Sequence, residues 1–134
     1  MSVFQVIDAM KARGWYIQPQ LAFQDSKENV HLSINPASVR WVEPLLADLR
    51  ACVEDARSAA PAAGGALQAA LAGIDLATLD DEALGGLLTM AGIQGAALPA
   101  RMAEINEILN ALSPTLRERV LTAYLNDLFH QPRD

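Results

Sequence analysis

The sequence predicts an α+β fold that is mostly helical, with a small antiparallel sheet covered by helices and an Ala/Gly-rich helical tail behind it. Three observations predict it. Apolar residues recur at helical spacing near 2–13, 38–58 and 114–129, residues 30–35 alternate with a period of two, and seven of the eight glycines lie between Gly64 and Gly95. These features divide the chain into an α-β-β-α core at 1–57, an Ala/Gly-rich linker at 58–79 and a helical segment at 80–134.

The first helix is expected at 2–13. Ser2 and Gln5 have the spacing of a capping box, Val3, Val6, Ile7 and Met10 form one stripe, and Gly14 stops the helix. Residues 15–23 (WYIQPQLAF) are rich in aromatic and branched side chains, but Pro19 cannot donate to a ladder, so the expectation is an irregular edge strand. After a polar connection at 24–29, Val30, Leu32 and Ile34 supply the apolar face of a second, half-buried strand. Asn35-Pro36-Ala37-Ser38 opens a long helix whose stripe is Val42, Leu45, Leu46, Leu49, Val53 and Ala56. Pro44 leaves its start open by a turn.

Beyond the linker, Asp80 or Asp81 can cap a short helix carrying Leu84, Leu87 and Leu88, and Pro99 suits an early position of the next, with Met102, Ile105, Ile108, Leu109 and Leu112. Ser113-Pro114 repeats the pattern as N-cap and first residue. The final helix has the strongest amphipathic stripe, Leu116, Val120, Leu121, Tyr124, Leu125, Leu128 and Phe129, and ends at His130-Gln131-Pro132.

The composition narrows the function. With 134 residues the chain can build one core without metal or disulfide staples. A formal charge of −6 and scattered Lys/Arg leave no basic stripe for phosphates, so nucleic acid is not an expected partner. Cys52 is the single cysteine, which fits a reducing compartment and argues against structural zinc. Residues 1–15 carry Asp8 and Lys11 among the apolar positions and do not follow the pattern of a signal peptide, so the cytoplasm is the expected location. The uncharged run 83–100 has spanning length, yet its five Gly/Pro residues favour loose helices over a membrane span.

No catalytic, cofactor-binding or metal-ligating residue stands out. His31 and His130 lie far apart in sequence, and Cys52 sits beside an apolar stripe as a buried thiol would. His31 faces away from Val30, Leu32 and Ile34 and is expected at the surface or between domains. Asp80, Asp81 and Glu82 complement a helix N-terminus. Gly64-Gly65 and Gly85-Gly86 lack phosphate-loop spacing. Trp15 and Trp41 suit a core or an interface.

Val6-Ile7-Asp8-Ala9-Met10-Lys11-Ala12-Arg13-Gly14-Trp15, then Val30-His31-Leu32-Ser33-Ile34, then Trp41-Val42 with Leu45-Leu46 and Asp48-Leu49-Arg50, form an ordered set. It resembles the C-terminal small domain of fold-type-I pyridoxal-phosphate enzymes, in the decarboxylase branch that contains sphingosine-1-phosphate lyase. The likeness covers residues 2–57 and, more loosely, the Ala/Gly-rich linker and the Leu125–Phe129 stretch. The resemblance implies a parent carbon–carbon lyase in which pyridoxal phosphate acts as electron sink. Its Schiff-base lysine, ring-stacking histidine and pyridinium-pairing aspartate have no counterpart here, so no catalytic residue carries over. The chain is therefore expected to be a noncatalytic C-terminal domain or a fragment, binding no cofactor itself. Its partner would be the parent's cofactor-binding domain or another copy of itself. The alternative is a standalone helical interaction module that pairs through Leu116 to Phe129. Lys11, near a helix end, and Lys27, in a polar turn, both read as solvated.

Overall fold

The computed structural model describes residues 1–58, 86 and 101–129. Among them, four α-helices accompany one two-stranded antiparallel sheet, giving the α+β, mostly helical architecture. Helix α1 is Val3–Ala12, and it buries Phe4, Val6, Ile7 and Met10. Ser2 occupies the N-cap position without a side-chain cap, and its hydroxyl is buried and unpartnered. The expected Ser2/Gln5 capping box therefore does not form.

The C-terminal stop follows the sequence closely. Gly14 adopts φ +88°, its N–H donates to the Lys11 carbonyl, and the Trp15 N–H reaches back to the Met10 carbonyl, both at 3.0 Å. This paired closure needs a left-handed residue, which glycine supplies at least cost.

Strand β1 is Gln18–Gln20 and β2 is Asn29–His31, with Pro19 opposite Val30. Both are shorter than the runs 15–23 and 30–35 suggest. Pro19 is tolerated because β1 has a single neighbour among the described residues. Between the strands, Phe23 and Ser26 exchange backbone hydrogen bonds at 3.0 Å across a tight turn in which Gln24 takes φ +52°. Val30 and Leu32 pack on the core, but Ile34 lies beyond the ladder and faces solvent, so the expected apolar face loses its third member.

Asn35 accepts from the Ala37 N–H at 3.0 Å and opens a 3-10 turn, Pro36–Trp41, which runs into helix α2, Val42–Ser58. The start of the α-helix at Val42 places Pro44 in the first turn, where a missing N–H costs no intrahelical bond. Of the predicted stripe, Leu45, Leu49 and Val53 are partly buried and Ala56 fully, with Cys52 between them. Val42 and Leu46 are exposed instead.

Helix α3 is Ala103–Ala111 and α4 is Pro114–Leu128. Leu112 and Ser113 join them, and the Ser113 hydroxyl accepts from the Leu116 N–H at 3.4 Å, as its N-cap role requires. The core has two parts. One gathers Phe4, Ile7, Met10, Ile17, Cys52 and Ala103, and the other Ile105, Leu109, Leu112, Leu116 and Val120. Leu21 packs on both. The Asp80/Asp81/Glu82 cap, the helix with Leu84 to Leu88, Pro99, the 83–100 run and His130 lie outside the described residues.

Candidate functional site

An apolar groove of about 490 Å³ lies where the chain before β1, the chain after β2 and the start of α2 meet. Local rules build it. The glycine stop at Gly14 sends residues 15–17 off in extended form, so that Ile17 is buried, Trp15 is half-buried and Tyr16 points outward. Past β2, Leu32 turns inward and Ile34 outward. The Asn35 cap then fixes the 3-10 turn that carries Trp41 and delivers Val42 and Leu46 to the rim.

Polar contacts lock this geometry. The Trp15 indole N–H donates to the Asp48 carboxylate at 2.7 Å, and Arg13 pairs with the same carboxylate at 3.2 Å. One acid on α2 thus holds the exit of α1. On the opposite wall, the Arg40 guanidinium lies 5.2 Å from the Trp41 ring centroid, a cation–π arrangement at an exposed site. Both tryptophans line the groove, but Trp15 also packs on the core whereas Trp41 stays half exposed.

The α3–α4 pair is tied to the first core by side chains that sequence pattern did not single out. Both Asp8 carboxylate oxygens accept from the α3 N-terminus, at 3.1 Å from the Met102 N–H and 2.9 Å from the Ala103 N–H. At the other end of α3, Arg117 donates to the carbonyls of Leu109 (2.8 Å), Ala22 (2.7 Å), Asn110 (3.1 Å) and Leu112 (3.3 Å). The Asn110 side-chain oxygen accepts from the Ala22 N–H at 2.6 Å. A cap from outside the helix leaves no signature at fixed sequence offset, unlike the caps at Asn35 and Ser113, which lie beside the turns they close.

The long stripe of α4 splits. Leu116 and Val120 are buried and Tyr124 is half-buried, whereas Leu121, Leu125 and Phe129 form an exposed row at i, i+4 and i+8.

A smaller cavity, about 390 Å³, lies between α1 and α2 and is lined in part by Asp8, Cys52, Asp55 and Arg101. Its groups are not arranged for nucleophilic chemistry. Burial pushes the Cys52 thiol above its ordinary 9.0, Asp48 and Asp55 add to that, and only Arg13 opposes it. Asp8 is committed to the α3 cap. His31 is exposed, away from Cys52 and its cavity. Among the described residues, no group of three or more His, Cys, Asp or Glu residues is placed to hold a metal ion.

Pyridoxal phosphate needs a lysine set in a pocket beside groups that hold the ring nitrogen and the phosphate. The chain's two lysines, Lys11 and Lys27, are both exposed, and neither lines either cavity described above. They do not fit that role. Among the described residues, no helix is long and apolar enough to cross a membrane.

Residues 65–127 match a known family model. Its description is "Pyridoxal-dependent enzyme, C-terminal putative HTH domain", and the match takes in α3 and all but the last residue of α4. This segment is thus similar to a C-terminal domain of pyridoxal-dependent enzymes, and within it α3 and α4 are joined by Leu112 and Ser113 alone. No curated protein and no solved structure matches the chain.

Proposed function

We propose that the chain is a noncatalytic C-terminal domain, or a fragment of one, of a pyridoxal-phosphate-dependent carbon–carbon lyase of the decarboxylase or sphingosine-1-phosphate lyase type. The match over 65–127 carries this reading. A separate stretch supports it, because the motifs that resemble such enzymes lie in residues 2–57, outside the matched segment. The exposed settings of Lys11 and Lys27 support a role in packing rather than cofactor chemistry. In this reading the domain lies against the cofactor-bearing part of its parent, or against another copy, in the cytoplasm. Protein is favoured over nucleic acid as the partner: the chain carries a charge of −6, and Arg117 on α4 is spent on backbone carbonyls.

The test is to incubate the purified chain with pyridoxal phosphate, reduce with borohydride and map adducts by mass spectrometry. The expected outcome is weak, distributed labelling and no lyase turnover. Stoichiometric labelling of one lysine together with turnover overturns the reading. The exposed row Leu121, Leu125 and Phe129 favours a second reading, a helical interaction module pairing through α4. An upstream open reading frame that encodes a cofactor lysine decides for the first reading over the second.

A further inference from the structure

We infer that the groove receives an extended peptide segment of another protein, apolar on one side and carrying a carboxylate, which pairs its backbone with the open strand ends and sets its acid against Arg40. Backbone groups define the occupant. Pro19 has no N–H, so it holds a non-bonded site in the β1–β2 ladder, and its neighbours, Gln18 with His31 and Gln20 with Asn29, form the bonded pairs. Bonded pairs recur at every second residue, which makes Tyr16 and Ser33 the next. No hydrogen bond joins them, and among the described residues the N–H and C=O groups of Tyr16, Ser33 and Ile34 have no partner, although all three residues line the groove. The ladder thus opens where the groove begins. A hydrocarbon chain makes no use of such groups, whereas an added strand brings a donor and an acceptor to each bonded position.

Side chains define its composition. Trp15, Ile17, Leu32, Trp41 and Leu45 give the groove an apolar lining for one face of the incoming segment. Arg40 is the one charged residue in that lining; among the described residues its guanidinium makes no ion pair, and its contact is the Trp41 ring, 5.2 Å away at the centroid. A carboxylate on the segment supplies the missing partner, and a basic segment meets like charge. The lining holds no acid of its own, so the same face of a second copy does not supply one. This inference does not rest on the function proposed above. A chain that binds no peptide would overturn it and leave the cofactor-labelling result untouched.

The experiment is a fluorescence titration of the full chain with a synthetic peptide of alternating valine and glutamate, acetylated and amidated at its ends. Trp15 and Trp41 are the chain's two tryptophans and both line the groove, so their emission reports its occupancy. The expected result is a saturable change whose Kd rises about fivefold in Arg40→Gln, with far-UV circular dichroism unchanged, and stays the same in Arg57→Gln, at an exposed position outside the groove. Because Arg40 also touches Trp41, the Kd and not the amplitude is compared. N-methylation of one of the peptide's two sets of alternate amides, the set facing the open strand ends, weakens binding about tenfold or more, and lysine in place of glutamate removes it. The proposal fails if no saturation appears up to about 1 mM peptide, if neither N-methylated set nor Arg40→Gln changes the Kd, or if sodium laurate saturates the emission change and the peptide does not. It fails equally if dilution of the chain alone shifts the emission, which marks a second copy in the groove.

Discussion

Arg117 gives the sharpest test of how the helical pair is held. Its guanidinium closes the C-terminal end of α3 by donating to Leu109, Asn110 and Leu112, and it ties that end to the β1–β2 connection through Ala22. Arg117→Met keeps the aliphatic stem and removes every donor. Two of the four bonds are short, 2.7 Å to Ala22 and 2.8 Å to Leu109, and the second brings a charged donor to a carbonyl in the last turn of α3. Charged hydrogen bonds contribute about 1.5–3 kcal/mol each and weaker ones less, and the side chain is only half-buried, so the expected loss is about 3 kcal/mol. With a urea m-value of about 1.5 kcal/mol/M for a chain of this size, the unfolding midpoint falls by about 2 M. Arg117→Lys retains the charge but not the planar fork, and recovers less than half of the loss. The readout is urea unfolding followed by circular dichroism at 222 nm. A midpoint shift for Arg117→Met below about 0.3 M, or complete rescue by lysine, would refute the claim that the fork geometry closes this helix.

Two further outcomes follow from the same structure. Asp8→Ala leaves two N–H groups of α3 without their acceptor and costs about 1–2 kcal/mol in urea unfolding, while Asp8→Asn, which keeps one acceptor oxygen, costs less than half of that; equal losses argue against the capping role. Cys52 has a folded-state pKa raised by burial, so its contribution to stability is complete below its ordinary 9.0 and is lost as pH rises past that value towards the folded one. Between about pH 8 and about pH 10 the urea midpoint of the wild-type chain therefore falls more steeply than that of Cys52→Ala, and parallel slopes would sink the assignment.

The sequence was most informative where the cause is local. Gly14 announces the end of α1 because a left-handed closure is the property of one residue. Asn35-Pro36 and Ser113-Pro114 mark helix starts for the same reason, and three of the four buried positions of α1, Val6, Ile7 and Met10, follow from periodicity, whereas buried Phe4 lay outside the predicted stripe and Val3 is only partly buried. The resemblance to pyridoxal-phosphate enzymes was legible in residues 2–57, and the match over 65–127 points to the same class of enzyme from different residues. Ser2 shows the limit of local signals: it has the right spacing and forms no cap, because whether a side chain turns onto the helix end depends on what packs around it.

What only the tertiary structure decided is which apolar residues are spent inside and which polar ones join the elements. Val42, Leu46 and Ile34 belong to apolar patterns as regular as those of Leu45, Leu49 and Val30, yet they face solvent, since periodicity gives the direction of a stripe and not the width that its neighbours cover. That difference creates the groove. Asp8, Asp48 and Arg117 carry no local signal of a structural role, but each makes contacts to residues distant in the chain or to the end of another helix. A helix end left open by its own sequence can be closed from anywhere in the molecule, so its partner is fixed by how the helices meet and not by spacing along the chain.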